Sequence, residues 1–95
     1  MELTFAGRVV EWRGPSPHYF VAVPEQESAD IREVAALATH GWGAIPVAAT
    51  IGGTAFTTSL FPKDGTYLLP LKNAVRAPEG LAVGDEVSVE LTVRL

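Results

Sequence analysis

The sequence has no cysteine, which excludes disulfides and thiolate-held metals and leaves the redox compartment unread from thiols. It is short of basic residues, with seven Lys and Arg against eleven Asp and Glu and a formal net charge of -4. A free-standing nucleic-acid binder usually carries the opposite sign, because phosphate neutralisation dominates its affinity, so nucleic acid is disfavoured as a partner. No apolar run approaches the roughly 20 residues that cross a bilayer. The opening Met1-Glu2-Leu3-Thr4-Phe5 lacks the basic start and apolar run of a signal peptide. The expectation is a cytoplasmic protein with no membrane contact.

Catalytic and metal signatures are missing as well. Ser59 lies in Thr58-Ser59-Leu60-Phe61, without the Gly-x-Ser-x-Gly elbow of an activated serine, and reads as a strand serine. His18 follows a proline-rich turn and His40 ends a helix; neither is spaced to serve Ser59 as base. No pair among His18, His40, Glu11, Glu25 and Asp64 has the i, i+2 or i, i+4 spacing that prearranges a metal site. Gly52-Gly53-Thr54 is glycine-rich but lies between strands, whereas a phosphate cradle places its glycines ahead of a helix. No metal or cofactor is expected; an enzymatic role has no motif behind it, and an enzyme with an unrecognised site stays open as an alternative to a binding role.

What the chain does have is enough apolar content for one core. Its 95 residues are 47% hydrophobic and 19% charged, which suits a single domain over residues 1–95. Leu3 to Arg13 reads as a strand with a bulge or bend at Gly7. Gly14-Pro15-Ser16-Pro17 is a turn, and Tyr19 to Val23 is a second, aromatic and β-branched strand stopped by Pro24. A short helix follows, with Ser28 or Asp30 as its cap and Ile31, Val34, Ala35, Leu37 and Ala38 at helical spacing. Thr39-His40-Gly41 ends it. Ile45 to Ile51 is apolar at nearly every position, which predicts a strand central or buried on both faces, with Pro46 near its start.

Gly52-Gly53 is a hairpin turn into Thr54 to Phe61, and Pro62-Lys63-Asp64-Gly65 turns the chain into Thr66 to Leu71. Asn73 to Glu79 forms a helical turn or two, with Asn73 as cap. From Glu86 to Arg94, Val87, Val89, Leu91 and Val93 alternate with polar residues, the pattern of a half-exposed strand. The order is strand, strand, helix, strand, twice over. Two ββαβ halves predict an all-β fold with two short helices, a small six-stranded barrel closed so that no sheet edge is left open.

The segment Leu71-Lys72-Asn73-Ala74-Val75-Arg76, with Gly80-Leu81-Ala82-Val83-Gly84-Asp85-Glu86-Val87, resembles AbrB/MazE-type swapped-hairpin and other cradle-loop barrels. That resemblance would imply a DNA-binding or antitoxin-type regulator. A second covers nearly the whole chain. Gly41-Trp42-Gly43, Ile45-Pro46-Val47, Gly52-Gly53-Thr54, Thr58 to Pro62, Tyr67 to Pro70 and Val75-Arg76 together resemble the bacterial domain-of-unknown-function family numbered nineteen-oh-five. It implies a small closed β-barrel and no known activity. Members occur alone or joined to a YdeI/OmpD-associated bacteriocin-protection domain, and this sequence is read as lacking that extension.

Candidate binding residues come from charge and aromatics. Lys63, Lys72 and Arg76 form a basic island whose only acid before Glu79 is Asp64. Arg76 either grips a carboxylate or phosphate in a bidentate fork, or pairs with Glu79 or with Asp85-Glu86; Lys63 is otherwise a solvated turn residue. Trp12 and Trp42, flanked by polar residues or glycine, either cap a barrel end or line a cleft mouth. The reading is a non-enzymatic binding module with a weakly basic cleft of Trp12, Trp42, Lys63, Lys72 and Arg76. It would take a small anionic ligand or an acidic peptide of a protein partner, as a monomer or a homodimer.

Overall fold

The computed structural model describes residues 1–15, 18–37 and 43–94 of the chain. Six strands and two helices follow in the order β1 (Glu2–Trp12), β2 (His18–Ala22), α1 (Glu25–Leu37), β3 (Ile45–Ile51), β4 (Thr54–Lys63), β5 (Thr66–Pro70), α2 (Asn73–Glu79) and β6 (Glu86–Val93). The strands close into a barrel in the order β1-β2-β5-β4-β3-β6, with every pairing antiparallel. Exchanging the two ββαβ halves maps each pairing onto another, so the barrel has the pseudo-two-fold order that the repeat predicts. The β2–β5 and β3–β6 pairs lie on that axis.

Alternation places one side of each strand inside. On β6, Val87, Val89, Leu91 and Val93 are buried and the residues between them are exposed. On β3, Ile45, Val47, Ala49 and Ile51 are buried while Pro46 is exposed, so the strand is central but buried on one face only. Its continuous apolar run reflects small outward residues, Pro46 and Ala48, and no second buried face. Pro46 keeps its place because its carbonyl is still available, accepting the Arg94 N–H at 2.9 Å.

Gly7 is not at a bulge. The β1–β6 register runs unbroken from Glu2↔Thr92 to Arg8↔Glu86. The glycine is needed because β2 passes close by as β1 changes partner from β6 to β2: a Cβ there would lie 2.5 Å from Val21 Cγ1 and 2.8 Å from the Ala22 carbonyl oxygen. The turn after β4 is also tighter than Pro62 to Gly65. Pro62 and Lys63 still pair with Tyr67 and Thr66. Asp64 and Gly65 alone make the reversal, with φ of 51° and 82°, the two positive values of a type I′ hairpin turn.

The helix caps differ from expectation. α1 starts at Glu25, directly after Pro24, whose carbonyl accepts the Ser28 N–H at 2.9 Å. Glu25 and Glu27 favour the positive helix start. Ser28 is therefore inside the helix and fully buried, 0% exposed, and Asp30 lies in mid-helix. The Ser28 hydroxyl donates to the Val23 carbonyl at 3.2 Å and accepts the Tyr67 N–H at 3.1 Å, joining α1 to β5. Ile31 and Ala35 join the barrel core. Leu37 is 87% exposed, because six residues carry it about 240° around the helix from Ile31. The expected helix end at Thr39-His40-Gly41 lies outside the described residues. In α2 the capping position is Lys72, with no side-chain cap, and Asn73 is the first helical residue.

Candidate functional site

Outward-facing residues of β1, β2, β5, β4 and β3 make the floor and walls of a groove of about 1260 Å³. Its floor is apolar. Phe20 faces Pro70 across the β2–β5 pair, and Leu68 faces Phe61 across the β5–β4 pair. Phe20 is only 7% exposed although it lies outside the central core cluster. Phe61, by contrast, is 49% exposed. Thr57 and Ser59 supply hydroxyls along the outer face of β4. Lys72, Asn73 and Arg76 enter from the start of α2, which follows β5 directly, and Arg94 comes from just beyond β6.

The rings and cations are arranged in pairs. Trp12, 61% exposed at the end of β1, faces His18 across the β1–β2 pair, with ring centroids 6.4 Å apart. His18 lies 6.3 Å from Phe20. Lys63 Nζ sits 5.6 Å from the Trp12 ring centroid. In the barrel order β2 and β5 lie between β1 and β4. The Trp12 and Lys63 side chains thus meet although two strands separate their own. They form a strap over the groove. Arg76 holds its guanidinium 3.9 Å from the Tyr19 ring centroid and donates from Nε to the Leu71 carbonyl at 3.1 Å.

Arg76 is not ion-paired. Glu79 instead accepts the Thr54 hydroxyl at 2.6 Å, tying the end of α2 to the start of β4. Asp85 accepts the Ala82 N–H at 2.9 Å, and Glu86 stands opposite Arg8 on β1. Among the described residues the one ion pair is Arg13 with Glu11, at 3.2 Å. Glu11 also raises the pKa of the Tyr19 phenol, its cross-strand partner, by hydrogen bonding and by its negative charge.

The groove thus gathers Lys63, Lys72, Arg76 and Arg94, four of the seven Lys and Arg residues of the chain. None of the eleven Asp and Glu residues lines it. Low positive charge overall therefore conceals a locally uncompensated cationic surface, and a recess walled by protein focuses such a field.

Of the candidates read from sequence, Trp12, Lys63, Lys72 and Arg76 come together in this groove. Trp42 lies outside the described residues, as does His40. His18, Phe61 and Arg94 were not among those candidates. The alternation of the last strand does put Arg94 on an outward face, but alternation does not say that the face is concave. Among the described residues, no group of three or more His, Asp or Glu side chains is placed to hold a metal. No helix among them is long and apolar enough to cross a membrane.

The family model described as a domain of unknown function, DUF1905, matches residues 5–91 of the chain. No curated protein matches it.

Proposed function

The chain belongs to the DUF1905 family, and from that premise we propose that it is a non-enzymatic binding module whose groove takes an anionic ligand, a small anion or an acidic peptide. One observation carries this reading: among the described residues, four cations and no Asp or Glu line a single groove of an acidic protein. Cations that serve solubility alone are usually interspersed with acids. Two of these four are instead parked on aromatic faces, Lys63 on Trp12 and Arg76 on Tyr19. Such contacts are worth only about 0.5–1 kcal/mol at exposed sites, so an incoming anion competes with them easily. They hold the charges in place without neutralising them. Arg76 offers a planar fork suited to carboxylate or phosphate, and the other three cations supply further anion contacts.

The reading is tested by titrating the labelled protein with a panel of succinate, pyrophosphate, adenosine monophosphate and an acidic hexapeptide. The expected result is that at least one probe produces saturable shifts on the Trp12 indole and on amides of residues 57–63 and 68–76. The double variant Lys72→Ala, Arg76→Ala should lose the response while melting as a folded domain. Absence of any shift at millimolar concentrations of all four probes would overturn the reading.

A further inference from the structure

We propose that the occupant of the groove is a short extended peptide of a partner protein, with acidic residues alternating with apolar ones. This rests on the anion-binding reading above and narrows it. The size of the groove is the first reason. At about 1260 Å³ it exceeds the roughly 300–1,000 Å³ of pockets that enclose drug-sized ligands. Its cations enter from separate walls, Lys63 from the end of β4, Lys72 and Arg76 from α2, and Arg94 from beyond β6. An elongated ligand engages several of them at once, whereas a small anion engages one set.

The floor is the second reason. Phe20, Leu68, Pro70 and Phe61 present an apolar strip between the cationic walls. That strip matches side chains such as Leu and Phe, with carboxylates on the neighbouring positions reaching the walls. Thr57, Ser59 and Asn73 can hydrogen-bond a peptide backbone. Single-stranded nucleic acid fits less well. It stacks bases on successive open ring faces, whereas half of this floor is aliphatic, Leu68 and Pro70.

The closed barrel sets how such a peptide is held. Every strand has two neighbours, so no strand offers an edge open along its whole length to an added strand. Recognition runs through side chains and through the strap of Trp12 and Lys63, which has to swing aside for the peptide to lie on the floor.

The experiment compares three probes on the full chain by amide and indole shifts. They are a capped hexapeptide Asp-Leu-Asp-Phe-Asp-Leu, its counterpart with Gly in place of Leu and Phe, and hexathymidylate. The expected result is saturable binding of the first peptide, at least tenfold weaker binding of the glycine peptide, and shifts centred on Leu68, Phe61 and the Trp12 indole. Lys63→Ala and Arg76→Ala should each weaken the first peptide several-fold, with their melting temperatures showing that both remain folded. Equal binding of the two peptides, or binding of hexathymidylate in preference to them, would overturn the peptide inference and leave the anion-binding groove standing. Failure of all three probes, with the small anions failing too, would overturn both.

Discussion

Ser28→Ala is the substitution whose consequence the structure determines most closely. The hydroxyl is fully buried, donates to the Val23 carbonyl and accepts the Tyr67 N–H. Alanine fits the space but leaves the Tyr67 N–H without its acceptor. An orphaned buried donor costs about 1–3 kcal/mol. Alanine returns roughly 0.5 kcal/mol as the better helix former. The net expectation is a loss of about 1–2 kcal/mol, and for a domain of this size each kcal/mol moves Tm by about 4–8 °C. Thermal unfolding followed by circular dichroism should therefore show a drop of roughly 5–15 °C. Hydrogen exchange should show the Tyr67 amide, slow in the parent, exchanging much faster in the variant. Gln26→Ala, an exposed change in the same helix, controls for helix propensity and should shift stability by no more than about 0.5 kcal/mol. If Ser28→Ala melted with the parent and the Tyr67 amide kept its protection, the buried-acceptor argument would be wrong.

Gly7→Ala should lower stability by about 1–3 kcal/mol through overpacking against Val21 and the Ala22 carbonyl, read as a fall in the denaturant midpoint at unchanged m. Lys63→Ala should leave stability within about 0.5 kcal/mol while moving the Trp12 indole signal, because it removes the ammonium from the ring; an unmoved indole would show that the strap is absent in solution. Thr54→Val should cost about 1 kcal/mol and speed exchange of the α2 amides, since it cuts the link to Glu79. The Tyr19 phenol titrates above its ordinary value. The folded state then holds a proton that the unfolded chain releases, so the contribution of this group is complete below pH about 10 and is lost as pH rises through the folded value. Glu11→Gln should move the Tyr19 titration back toward that ordinary value, as followed by its ring-carbon NMR shifts, and a titration unchanged by the substitution would contradict the assignment to Glu11.

The fold was legible where local chemistry acts alone. The alternation from Glu86 to Val93, the Gly52-Gly53 turn and the helix ending before Gly80 need only their own neighbours to be read. Ser28 shows the limit. Its acidic neighbours make it look like a cap, but Pro24 sets the helix start one turn earlier, and only the approach of β5 explains a buried hydroxyl there. The groove was half legible for a similar reason. Lys63, Lys72 and Arg76 are near in sequence and show as a basic island. Arg94 and His18 reach the same surface through the order in which six strands close, which no window of sequence contains. Arg76 likewise had acids nearby along the chain, but Glu79 and Asp85 are engaged elsewhere and Glu86 stands opposite Arg8 on β1.

The way the halves close has a consequence for how the chain comes apart. Four of the six pairings, β1–β6, β2–β5, β3–β4 and β3–β6, stitch one half to the other. Neither β3 nor β6 has any partner within its own half. A cut between Gly52 and Gly53 would therefore sever the backbone without freeing either piece, and two separately made fragments should reassemble on mixing. A half made by itself would carry a strand with both edges bare, and the complement it lacks is another copy of the same ββαβ unit. Division at the hairpin turns a closed barrel into an adhesive.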